Sequence, residues 1–151
     1  MRYPYDLIAL EDGKYMTTFP DVPEALGQGD AREDAMEWAE DCLLVALSFY
    51  LDAREPVPTP STPKTGQRFV DIPPMAAMKI CIHNAMLEQG VSQLKLASRL
   101  HTDPKSVRRL LDLDHKSRFD HLEMALEALG YKVAVDIRKS DRPSCFQAAT
   151  A

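Results

Sequence analysis

Residues 91–113, VSQLKLASRLHTDPKSVRRLLDL, constrain the fold more than any other stretch, because they spell two short helices separated by only a few residues. Ser92 stands where an N-cap hydroxyl accepts from the free amides of a first helical turn, and Val91 before it is placed to pack on Leu96. Leu96, Ala97 and Leu100 share one face, and the pattern stops at His101 and Thr102. Asp103 with Pro104 restarts it, since Asp is a favoured N-cap and proline is best tolerated at the first helical position. Val107, Leu110 and Leu111 give the second helix a buried side, which leaves Lys105, Ser106, Arg108 and Arg109 off it. A helix held by its apolar side with three cations outward has the shape and charge to enter a major groove. The alternative is a solvated charged face on an ordinary helical hairpin.

This segment resembles the helix-turn-helix of the Xre/Cro-like regulators, and the likeness runs over residues 75–131, with a leading helix at 75–88 closed by Gly90 and a following one at 120–129 closed by Gly130. The expected DNA contacts are Gln93, at the start of the first central helix, to phosphate, Lys105, Ser106, Arg108 and Arg109 on the recognition helix, and Lys116 and Ser117 in the next turn to the DNA backbone. Such elements work as symmetric dimers on half-sites about one DNA turn apart, so a homodimer or higher homo-oligomer is expected. The alternating segment YKVAVDI at 131–137 reads as a terminal strand able to pair with its own copy. The turn often carries glycine where this chain has His101, so either His101 takes a left-handed backbone or the turn is built differently.

The net charge of −5 conceals an asymmetry. Residues 1–72 hold six basic against fourteen acidic side chains, and residues 73–151 hold twelve against nine. The basic half suits phosphate; the acidic half suits a cationic protein. With 151 residues, 45% of them hydrophobic and 27% charged, a soluble globular chain is expected. No apolar run is long enough to cross a bilayer and MRYPYDLIALEDG lacks the features of a secretory signal, so the expected location is cytoplasmic. Cys42, Cys81 and Cys145 show no metal or disulfide spacing, and the first two fit apolar helical patterns as small buried hydrophobes. His83, His101, His115 and His121 read as surface or turn residues; neither a metal nor a cofactor is expected.

The first half reads as strands at 3–10, 15–19 and 25–29, with an Asp-Gly hairpin turn after the first and Gly27 and Gly29 marking bends. Asp30 is expected to cap a long helix, Glu33 bonding back, whose buried stripe is Ala35, Ala39, Cys42, Leu43, Ala46, Leu47 and Tyr50. EPVPTPSTPKTG at 55–66 excludes a helix and reads as a linker or loop, and RFVDI at 68–72 as one more strand packing back on the first half. The expected class is therefore α+β. Its units are an N-terminal α/β domain at 1–72, an all-α DNA-binding and dimerisation domain with a terminal strand at 73–138, and a disordered tail at 139–151.

The order of a YP strand, a DGxY hairpin, FPDVPEALGQGD, an acidic EDAMEWAEDCLLVAL helix and a proline-rich segment before FVDIP is similar to the HicB family of antitoxins. With the helix-turn-helix it resembles the subgroup whose C-terminal half binds the operon's own promoter, and the likeness covers nearly the whole chain. The resemblance implies a partial ribonuclease-H-like N-terminal fold. It also implies a HicA-type partner, a small basic mRNA-cleaving toxin of double-stranded-RNA-binding shape.

A nuclease needs carboxylates gathered around metal ions. Here Asp6 lies in a strand while Glu33, Asp34, Glu37, Glu40 and Asp41 occupy the polar side of a helix, so no catalysis is expected. The acidic helix fits a surface for the toxin, with Glu33, Glu37, Glu40 and Asp41 supplying charge and Tyr3, Tyr5, Tyr15 and Trp38 apolar contact. Trp38 also fits a core anchor. The rival reading, a stand-alone regulator with an N-terminal ligand sensor, would require an apolar pocket that residues 2–72 do not mark.

Overall fold

The computed structural model describes residues 1–137. The expected disordered tail at 139–151, with Cys145, lies outside the described residues. The architecture is α+β: β1 (Arg2–Ala9), β2 (Tyr15–Phe19), β3 (Val22–Gly29), α1 (Arg32–Glu37), α2 (Ala39–Ala53) and β4 (Arg68–Asp71), then α3 (Pro74–Glu88), α4 (Gln93–Arg99), α5 (Pro104–Leu111) and α6 (Phe119–Ala128). The strands form one antiparallel sheet ordered β3-β2-β1-β4.

The β1–β2 turn follows its chemistry: Gly13 takes φ +84°, and the Asp12 carboxylate accepts from the Lys14 amide at 3.1 Å. Residues 68–72 return to the sheet as expected, Val70 opposite Tyr3 and the Ile72 amide donating to the Met1 carbonyl at 2.9 Å. β3 begins at Val22 rather than residue 25, because the register slips between Thr18 and Phe19 and brings Phe19 opposite Val22. Pro23 fits within β3 because β3 is an edge strand. Gly27 and Gly29 are sites of close approach, not bends. A Cβ on Gly27 would stand 2.5 Å from Thr17 Oγ1, and one on Gly29 would collide with the Ala35 amide in α1.

The expected Asp30 and Glu33 cap is also corrected. The helix starts after Ala31, whose amide donates to the Asp34 carboxylate at 3.1 Å, and it is interrupted at Trp38. The inward stripe otherwise packs as read: Leu43 and Leu47 meet Tyr3, Tyr5 and Phe19 from the strands, and the Tyr5 and Phe19 rings lie 5.6 Å apart. Cys42 is half-buried.

Residues 55–66 are strapped down along their first half. The Asn84 side-chain amide mimics a neighbouring strand, accepting from the Val57 amide and donating to its carbonyl, both at 2.9 Å. The buried Tyr3 hydroxyl donates to the Pro58 carbonyl at 2.6 Å, and the Ser61 amide donates to Asp21 at 2.8 Å. Burial pushes the Tyr3 phenol well above its ordinary pKa.

α3 touches two cores. It gives Ala76 and Ile80 to the sheet core, and Met78, Ile82, Ala85 and Met86 to a second core with Leu96, Val107 and Leu122. Two buried sides leave a narrow outward strip at Pro74, Cys81 and Glu88, seven residues apart, which is why Cys81 is exposed rather than buried. His83, expected at the surface, is buried, and its Nε2 donates to the Glu55 carbonyl at 2.8 Å. Residues 131–137 carry no strand: the sheet's edges are β3 and β4, and a lone extended segment has no ladder within one chain.

Candidate functional site

The helix-turn-helix is built from caps. The Ser92 hydroxyl accepts from the Lys95 amide at 3.2 Å and opens α4; the Asp103 carboxylate accepts from the Ser106 amide at 3.0 Å and opens α5. These bonds hold the Asp103 carboxyl below the usual carboxylate range, the Ser106 hydroxyl contributing most. At the turn His101 has φ +51°, so the left-handed alternative is the one found. Leu96, Ala97, Val107, Leu110 and Leu111 are buried, with Leu100 half-buried.

This packing fixes which side of α5 faces water. Lys105, Arg108 and Arg109 are exposed, as is Lys116 in the following loop, and none has an ion-pair partner among the described residues. Other expected contacts sit differently. The half-buried Ser106 gives its hydroxyl to Asp103 at 2.6 Å, which makes it part of the cap. Ser117 turns its hydroxyl inward, buried and without a hydrogen-bond partner among the described residues, so the loop presents Lys116 but not the Ser117 side chain. Gln93 opens α4 half-buried, lining a cleft of about 390 Å³ with Arg54 at the end of α2 and Leu111 at the end of α5.

Sequence reasoning missed Lys79. Its side chain is 1% exposed, and its ammonium donates to the carbonyls of Asp112 and His115 in the α5–α6 loop. Burial lowers its pKa. A lysine in an otherwise apolar helical pattern, AAMKICIHNAM, was the available signal.

The N-terminal candidates divide in two. Tyr3 and Tyr5 are core residues, closed to any partner because strand alternation turns both toward α2; Tyr15 is half-buried opposite Gly29. Glu33, Glu37 and Asp41 are exposed, Glu40 is half-buried, and Trp38 is 56% exposed, so it is no core anchor. Within residues 32–53 Arg32 is the only basic side chain against six carboxylates. Asp6 is exposed on β1 and accepts from the Gln67 side-chain Nε2 at 3.1 Å; among the described residues no three His, Cys, Asp or Glu side chains gather as metal ligands would. Among the described residues no helix is long and apolar enough to cross a membrane.

An acidic sheet-and-helix layer is thus joined to a helix-turn-helix whose α5 cations have no ion-pair partner among the described residues. Residues 2–81 match the family model described as the HicB-like antitoxin of bacterial toxin–antitoxin systems, and the chain belongs to that family. It is 39% identical to Antitoxin HicB 1 of Photorhabdus laumondii over 91% of this chain and 87% of that one. It is 42% identical to Antitoxin HicB 2 of the same organism, over 86% and 91%. Antitoxin HicB of Escherichia coli K12 is 37% identical over 89% of this chain and 98% of its own.

Proposed function

We propose that this antitoxin neutralises a HicA-type toxin, a small basic mRNA-cleaving protein, with residues 1–72, and represses its own operon as a homodimer with residues 73–138. The observation that carries the reading is the separation of charge on one chain: carboxylates crowd the outer side of α1 and α2, while Lys105, Arg108 and Arg109 on α5 have no ion-pair partner among the described residues. Opposite charges speed capture of a basic toxin, and free cations on a helix supply the contacts that neutralise phosphate. Family membership supports the toxin partner over a sensed small molecule. Val135 and Ile137 are 70% and 90% exposed, which supports 131–137 as a strand completed by the second copy. The role is non-catalytic.

Co-expression with a HicA-type toxin, to be sought as a short basic protein encoded beside this gene, tests toxin neutralisation, with growth rescue and co-purification as the expected results; failure of both sinks it. Mobility shift on the chain's own promoter, against scrambled DNA, tests repression. Deleting residues 132–151 is expected to give monomers; a truncated chain that stays dimeric removes the strand-pairing idea.

A further inference from the structure

Outside its buried stripe, α2 carries a second apolar row that the fold leaves uncovered. Trp38, Val45 and Phe49 are 56%, 56% and 63% exposed, and steps of seven and four residues put them on one side of a helix. Trp38 stays in helical register despite the interruption: its amide donates to the Asp34 carbonyl at 3.2 Å, and its carbonyl accepts from the Cys42 amide at 3.0 Å. Asp41 and Asp52 fall on the same side by the same periodicity. Neither has an ion-pair partner among the described residues. Ser48, between them, gives its hydroxyl to the Val45 carbonyl at 2.7 Å.

We propose that this strip is the docking face for the toxin, with Trp38, Val45 and Phe49 as apolar anchors and Asp41 and Asp52 as the rim that receives its basic side chains; the inference rests on the toxin neutralisation proposed above. Charge selects the occupant. A second copy docked by a two-fold axis would set Asp41 and Asp52 against the same carboxylates, and like charges across an interface are costly. Nucleic acid is repelled for the same reason. A basic protein surface with an apolar patch satisfies both features of the strip at once. Large apolar anchors inside a charged rim are also where binding energy concentrates.

The test measures affinity of the full chain for a purified HicA-type toxin, with three versions of the chain compared. Val45→Ser with Phe49→Ser should weaken binding by roughly 30-fold or more, as loss of interface anchors does. Ile8→Ser with Leu26→Ser removes side chains 42% and 56% exposed elsewhere on the sheet and should change it by less than about threefold. Circular dichroism and melting temperature must match the parent in both. Toxin binding by the parent that survives the Val45 and Phe49 change overturns this docking face and leaves the antitoxin reading standing. A parent that binds no toxin overturns that reading and the inference with it. A toxin-free parent that is larger than its Val45 and Phe49 variant by sedimentation assigns the face to a second copy and also overturns the proposal.

Discussion

Leu47 in the sheet core and Leu122 in the helical core are both sealed from solvent, but their surroundings are assembled over different distances along the chain. Around Leu47, Tyr3 on β1 lies beside Val70, which returns on β4 after the whole helix layer has been made. Around Leu122, the partners come from successive helices joined by short turns. One region is held by non-local pairing, the other by local capping and periodicity, and α3 is shared between them. Leu47→Ala and Leu122→Ala should each cost about 3 kcal/mol in urea unfolding, the usual loss for a sealed leucine. Since α3 feeds both cores, each variant should still unfold in one transition. Two separated transitions would break the view of α3 as a weld.

Lys79 sharpens the same contrast, because it is a charge buried beside the helical core, whereas the buried polar groups of the sheet half are neutral. Lys79→Met removes the ammonium that both carbonyls share: the Asp112 carbonyl keeps the His115 amide at 3.2 Å, while the His115 carbonyl loses its donor. Losing that donor should cost about 2 kcal/mol. The loop these carbonyls belong to carries Lys116, so operator affinity should fall while toxin affinity holds. A variant that lost both equally would show that Lys79 serves the whole fold.

The outward face of α5 is the next rung. Alanine at Arg108 or Arg109 should cost about 1.5 kcal/mol if that arginine reads a base and should relax preference at one operator position; Lys105→Ala should weaken all sequences alike and lower the salt slope by about one. Titration across the same site has a fixed sign. The folded Asp103 carboxyl lies below its ordinary value of 3.8, so its contribution is present above that pH and fades as the pH falls through the lowered value. Protection of the amides at the start of α5, taken relative to the intrinsic exchange rate at each pH, should therefore fall in acid, and Asp103→Asn should remove that pH dependence.

These local features were legible because each is written within four residues: Ser92 for α4, Asp103 and Pro104 for α5, Gly90 and Gly130 for the ends of α3 and α6. What was not legible depended on distant partners. Tyr3 and Tyr5 looked like contact residues until β4 and α2 covered them, and Ser117 looked exposed until its hydroxyl turned inward. The outer row of α2 was half legible. Val45 and Phe49 fall off the buried stripe, and that mismatch was the signal, but only the completed layer shows that nothing else in the described chain covers them.

The smallest effect concerns how helices end. Four of them close by one device, in which a residue in the left-handed region lets the next amide reach back five residues. Val91 donates to Met86 at 2.8 Å past Gly90, and Tyr131 to Leu126 at 2.9 Å past Gly130. Glu55 donates to Tyr50 at 2.9 Å past Arg54, and Thr102 to Ala97 at 3.0 Å past His101. Glycine takes this conformation freely, whereas a Cβ makes it costly, so Arg54 and His101 are held there by the packing around them. Arg54→Gly and His101→Gly should each raise stability, by about 0.5 kcal/mol once the greater freedom of glycine in the unfolded chain is set against the relieved strain. One lies at the edge of the sheet half and the other inside the helix-turn-helix, so equal gains would mark the strain as purely local. A gain at Arg54 with a loss of operator binding at His101 would instead show that the imidazole in the turn, which lines a cleft with Ser106 and His121, helps to hold α5.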